Sequence, residues 1–136
     1  MANYLLDTNH ASPLVTFGHP LRDRIQRAME SGHTFAIAVP ALSELLFGIG
    51  LLPRAVHNQT EWARIRQEIE CYSVDEFDAH EAAELRIFLR KQGHQLMAID
   101  ALIAVVALRY GLTLLTTDND FSCVEGLTIE NWMKPV

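Results

Sequence analysis

The sequence is poor in cysteine, in lysine and in long apolar runs, and each shortage removes a class of protein. Its two cysteines, Cys71 and Cys123, stand far apart and outside any C-x-x-C spacing. Neither a disulfide framework nor a structural zinc site is expected, and a reducing cytoplasm is the default location. No unbroken apolar run approaches the length needed to span a bilayer, so no membrane partner is expected. The chain does not open on a basic stretch followed by an apolar one, so no secretory signal is expected either. The six histidines are scattered without an H-x-x-x-H pair and read as ordinary surface or half-buried residues. G-x-x-x-x-G-K-[ST] and G-x-G-x-x-G are both missing, which argues against the common nucleotide-binding folds. A basic excess is missing too. With 11 basic and 17 acidic residues the net charge is −6, which argues against a nucleic-acid binder that works through bulk charge.

What is present is apolar residues at 49% of 136, enough for one globular domain, residues 1–136, with a substantial core. Apolar runs of strand length alternate with helical periodicity along the chain. Tyr4–Leu6 reads as a strand buried on both faces, at the centre of a parallel sheet. Ser12-Pro13 reads as the start of a short helix through Phe17. A helix follows from His19-Pro20 to Glu30, then a buried strand from Thr34 to Val39. Ala41 to about Leu51 is a nearly all-apolar helix. Gln59 to Cys71 is a further helix, and Tyr72–Val74 an edge strand. Asp78 to Gln92 is a charged amphipathic helix burying Ala82, Leu85, Phe88 and Leu89. Ala98 to Tyr110 is apolar all round, so a central packed helix is expected, closed by Gly111. Thr113–Thr116 and Leu127–Glu130 complete the strands. The alternation predicts an α/β fold with a parallel sheet of about five strands between helical layers.

Four acids stand out against this pattern. Asp7 and Asp118 each follow an apolar strand, at the carboxyl edge where open α/β sheets carry their chemistry. Glu44 and Asp100 each lie near the start of an apolar helix. Taken singly, each has a local explanation. Asp7 and Asp118 suit turns, Asp100 suits a helix N-cap or first turn, and Asp120 suits a cap on the turn anchored by Phe121. Glu44, flanked by large apolar residues, suits burial or a cleft wall. Taken together they predict four carboxylates at one edge. Such a group repels itself and raises its own pKa values unless a hard divalent cation is present. Mg²⁺ or Mn²⁺, oxygen-loving and partly hydrated, suits the donors. The chemistry such a pocket supports is metal-assisted phosphodiester hydrolysis. Without four of its seventeen acids the chain's balance is −2, so acidity does not exclude a nuclease but demands a local patch for affinity.

With these residues in view the chain resembles PIN-domain ribonucleases, specifically the VapC-type toxins of bacterial toxin–antitoxin pairs. The matching stretches are Leu5-Leu6-Asp7-Thr8-Asn9, Ser43-Glu44-Leu45-Leu46-Phe47-Gly48-Ile49, Ile99-Asp100-Ala101-Leu102-Ile103-Ala104 and Leu115-Thr116-Thr117-Asp118-Asn119-Asp120-Phe121. They occur in the family's order and are spread over almost the entire chain, from Leu5 to Phe121. The resemblance implies a three-layer α/β/α PIN-like domain and a Mg²⁺-dependent endoribonuclease, Mn²⁺ being the alternative ion. Its metal-binding, catalytic acids would be Asp7, Glu44, Asp100 and Asp118. Asn9 and Thr116 would support them, with Asp120 as an auxiliary acid. It also implies an RNA substrate (tRNA or rRNA), a cognate antitoxin and a homodimer. An apolar groove along Leu45–Leu52 and the Trp62 helix would hold an antitoxin helix, the competing reading being plain core packing. Arg22, Arg24 and Arg27 suit either a solvated helix face or RNA phosphates.

Rival α/β folds fit less well. A receiver domain needs a lysine after its fifth strand, and neither Lys91 nor Lys134 is so placed. A haloacid-dehalogenase-like phosphatase needs Asp-x-Asp after its first strand, where this chain has Asp7-Thr8-Asn9. The alternative that stays open is a catalytically idle PIN fold that binds RNA or protein, against which the intact acids argue.

Overall fold

Asn3–Leu6 (β1) is the middle strand of five. It pairs in parallel with Thr34–Ala38 (β2) on one side and Thr113–Leu115 (β4) on the other. Glu70–Tyr72 (β3) and Ile129–Glu130 (β5) form the edges, giving the order β3-β2-β1-β4-β5 with every pairing parallel. These are features of a computed structural model in which residues 1–134 are described. The central position of β1 follows from its composition. Tyr4, Leu5 and Leu6 are all buried, and only a strand covered on both faces tolerates consecutive large apolar side chains. Register then decides the site. Leu6 pairs with Leu115 and the Asp7 amide donates to the Leu115 carbonyl at 3.0 Å. The next residue on each strand, Asp7 and Thr116, therefore emerges side by side at the carboxyl edge.

Helices cover both faces of the sheet in a three-layer α/β/α arrangement. They are Thr8–Ala11 (α1), Pro20–Glu30 (α2), Val39–Leu51 (α3), Ala55–Ile65 (α4), Glu76–Lys91 (α5) and Ala98–Tyr110 (α6). On one side Tyr4, Phe35, His33 and Trp132 form an aromatic cluster. Arg24 of α2 lies over the Trp132 ring, 4.2 Å from its centroid. α6 is the most buried helix, with Ala101 and Ile103 through Ala107 withdrawn from solvent. It ends on Gly111 at φ +66, a left-handed conformation that glycine adopts without steric penalty. α5 and α6 run antiparallel. Asp75, at the start of α5, binds Arg109 near the end of α6, so the last turns of α5 lie beside the first turn of α6. Asp75 and Asp78 form a capping box on α5, and the fully buried Asp78 carboxylate also receives Arg109 at 3.1 Å.

Several expectations need correction. The helix after β1 starts at Thr8, not Ser12, because Asp7 is itself the N-cap, accepting from the Thr8 amide. Ser12–Val15 follows as a 3-10 turn. The helix expected from Gln59 to Cys71 runs from Ala55 to Ile65, and Cys71 belongs to β3, where it pairs with Ile37. That pairing is non-local and leaves no mark in the periodicity of the segment. Phe88 faces solvent. His10 is completely buried, unlike the surface or half-buried role expected of the histidines. Plain core packing does not account for α3. Ala41, Leu45 and Ile49 are buried, while Leu46, Phe47 and Leu51 face solvent together with the following Leu52.

Candidate active site

The site is built outward from Asp7, which is 7% exposed. Its Oδ1 accepts from the Thr8 amide at 2.8 Å. Its Oδ2 accepts from the Thr116 hydroxyl at 2.7 Å and from Asn9 Nδ2 at 3.2 Å. Three donors hold the carboxylate in one orientation. The Thr116 hydroxyl in turn accepts from the Asp118 amide at 3.0 Å, and Asp118 Oδ1 accepts from the Asp120 amide at 2.8 Å. Two strand ends and the turn after β4 are thereby tied into one polar framework. Thr8 reaches across to the Ala41 carbonyl of α3 at 3.4 Å, the helix that carries Glu44.

Asn9 has a determinate orientation, and His10 sets it. The buried imidazole accepts the Trp132 amide on Nε2 at 3.0 Å, so its proton resides on Nδ1. Nδ1 then donates to Asn9 Oδ1 at 2.7 Å, and the Thr117 amide donates to the same oxygen at 3.2 Å. With its oxygen so occupied, Asn9 turns its NH₂ group toward Asp7 and Thr116. Burial pushes the His10 pKa down to about 4, with the nearby Arg24 cation adding to the effect. The ring is therefore neutral across the physiological range, as this pattern requires. Sequence reading missed His10. The only signal was its position three residues after Asp7, where a helical turn brings it under the same strand end.

Around Asp7 the other acids converge. Asp100, the third residue of α6, is half-buried, and its pKa is raised to about 6. The causes are burial first, then the negative charges of Asp7, Asp118, Glu44 and Asp120, in that order. All five predicted acids thus share one electrostatic neighbourhood. They differ in exposure: Asp7 is buried, Asp100 and Asp118 are intermediate, and Glu44 and Asp120 are open to solvent. Glu44 is a cleft-wall residue and not a buried one. Among the described residues no three His, Cys, Asp or Glu side chains converge closely enough to form a ready-made metal cage. Coulombic repulsion acts well beyond coordination distance, so mutual influence without a closed cage is what unneutralised carboxylates should show. The donors fit a Mg²⁺-like ion, because all are hard oxygens and such an ion takes one or two carboxylates and keeps several waters.

Comparison with known proteins adds the family. No curated protein sequence matches the chain. Among solved structures it is similar to VapBC2 from Rickettsia felis bound to a promoter DNA fragment, at 24% identity and a TM-score of 0.83, over 96% of this chain and 98% of that one. It is similar to DNA-bound VapBC from Salmonella typhimurium at 22% identity and a TM-score of 0.81, over 97% and 99% of the two chains. It is also similar to Mycobacterium tuberculosis VapC20, a sarcin–ricin loop cleaving toxin, at 16% identity and a TM-score of 0.67, over 92% and 96%. These likenesses establish a shared fold. The PIN domain model matches residues 4–127, the span that holds the whole acidic constellation, and the chain belongs to the PIN-domain family.

Proposed function

We propose that this chain is a metal-dependent endoribonuclease, the cytoplasmic toxin of a VapBC-type pair. Asp7, Glu44, Asp100 and Asp118 hold Mg²⁺ or Mn²⁺ in this reading, with Asn9, Thr116 and Asp120 in support. The observation that carries it is Asp100, whose carboxyl is crowded by four others at the carboxyl edge of the sheet. Such crowding is unfavourable for a folded chain and is relieved by a divalent cation. When bound, the ion supplies an activated water and neutralises charge on the phosphate. The rest falls to the protein. Asp7, fixed by Thr8, Asn9 and Thr116, presents a pre-oriented carboxylate. Asp100, crowded by the other carboxylates, would be a further oxygen donor to the ion. Asp118 is held toward the same centre by its bonds to Thr116 and Asp120.

The structural neighbours support the toxin reading, since several are toxin–antitoxin complexes, and the RNA substrate of this proposal is of the kind cleaved by VapC20, a sarcin–ricin loop cleaving toxin. An antitoxin has a surface to occupy. Phe17, Phe47, Leu51 and Val56 are each more than 60% exposed, and a cavity of about 310 Å³ lies between Phe17, Leu52 and His57. A chain that exposes this much large apolar surface has a protein partner for it. A homodimer is part of the same reading.

The test is cleavage of a mixed tRNA and rRNA preparation by the purified protein freed of antitoxin, in Mg²⁺, Mn²⁺ and EDTA, beside Asp7→Asn. Discrete fragments that disappear with EDTA and with the variant are expected. Intact RNA in every lane, from folded protein that binds the metal, would point instead to an idle binding module.

A further inference from the structure

We infer that the cavity between the end of α5 and the start of α6 docks the sugar–phosphate backbone of the RNA, a short distance from the scissile bond. The inference rests on the ribonuclease reading above and deepens it. The cavity has a volume of about 250 Å³, is lined by Arg86, Arg90, His94, Gln95 and Leu96 among others, and has no carboxylate among the described residues of its wall.

Arg86 is already set for an anion. Its Nε donates to the Leu96 carbonyl at 3.0 Å. That bond fixes the guanidinium and leaves its two terminal nitrogens without a partner among the described residues, the fork geometry that pairs with phosphate oxygens. Arg90 is one helical turn further along the same face, so the two cations stand together. Among the described residues neither makes an ion pair, whereas Arg22, Arg64 and Arg109 are all committed to carboxylates. Arg24 is spent on Trp132, through its ring and its carbonyl. Two of the three α2 arginines that looked available in the sequence are thus occupied, while Arg86 and Arg90 of α5 stand as neighbours without a carboxylate partner among the described residues.

Position completes the argument. Leu96 is four residues before Asp100, and four residues of chain span at most about 14 Å. A strand whose cleaved phosphate lies over the acids has its next few phosphates within reach of this cavity. The charge arrangement is complementary. The acids repel phosphate unless a cation intervenes, and an acid-free basic wall beside them holds the flanking backbone. The same wall answers how a chain of net charge −6 binds RNA, since attraction needs only a local cluster.

The experiment uses the Asp7→Asn background, so that RNA is not consumed, and measures binding of a single-stranded RNA oligonucleotide across a salt series. Each phosphate contact on a single strand contributes about 0.7 to the slope of log K against log salt. Adding Arg86→Gln and Arg90→Gln is expected to make the slope shallower by about 1 to 1.5 and to weaken binding regardless of sequence. Arg90→Gln alone, at a side chain with no hydrogen bond among the described residues, guards against a folding defect, and should remove about half of that slope change. Arg27→Gln, on an exposed face of α2, should leave slope and affinity unchanged. Unchanged slope in the folded double variant would overturn the dock while leaving the nuclease standing. Binding to polyglutamate in preference to RNA would overturn it in favour of an acidic protein partner. Absence of RNA binding by Asp7→Asn at every salt concentration would also overturn it, and wild-type protein that leaves RNA whole would remove the ribonuclease reading as well.

Discussion

Replacing Asp100 by asparagine should stabilise the metal-free protein at neutral pH while abolishing its activity. The carboxyl pKa rises from 3.8 to about 6 on folding, so between those values the folded chain binds more protons than the unfolded one. Its contribution is fully favourable below about 3.8 and is lost as pH rises through 6. At about 1.4 kcal/mol per tenfold change in proton affinity, the loss is about 3 kcal/mol. Because the group is partly open to water, screening reduces this, and about 1–2 kcal/mol is the expected gain for Asp100→Asn at pH 8. The assay is urea unfolding in EDTA from pH 4 to pH 8, comparing midpoints at constant m. The advantage of the variant should be near zero at pH 4, grow through pH 6 and level off by pH 7.5. Adding Mg²⁺ should raise the wild-type midpoint and move the variant little. A variant no more stable than wild type at pH 8, or an advantage that does not change with pH, would refute the idea that Asp100 is the crowded member of the cluster.

Three further outcomes follow from the same geometry. His10 has the opposite sign to Asp100: its pKa falls from 6.5 to about 4 on folding, so its contribution is full above 6.5 and is lost as pH drops through 4. The wild-type chain should lose stability across that window in acid melts, and His10→Asn should flatten the curve; an identical acid limb in both would refute the assignment. Thr116→Val removes the hydroxyl that orders Asp7 and Asp118 while conserving shape, and should lower kcat by about 10–100-fold with the fold retained, as single-turnover cleavage would measure. Glu61→Ala leaves Arg22, only 13% exposed, without its partner and should cost about 3 kcal/mol in urea. A loss under 1 kcal/mol would show that the pair is dispensable.

Sequence alone carried most of what is local in this protein. Helical periodicity and glycine placement are short-range properties, and α6 lies where its apolar run and Gly111 put it, from Ala98 to Tyr110. The acids were legible for a related reason. Each stands where an apolar strand ends or an apolar helix begins, contexts in which an α/β chain has a definite edge. Tertiary structure decided what depends on pairing and packing across the chain. Strand order and the Leu6–Leu115 register bring Asp7 against Thr116, 109 residues away. The environment of His10 is made by the Trp132 amide, which no reading of its own neighbourhood supplies. Being nearly all apolar, α3 left groove and core packing both open, because hydrophobicity says only that a surface prefers to leave water, not whether this chain or a partner covers it. The commitment of Arg22 and Arg24, and the freedom of Arg86 and Arg90, are likewise facts of three-dimensional neighbourhood, because the partner of a charge is chosen by distance in space and not by separation along the chain.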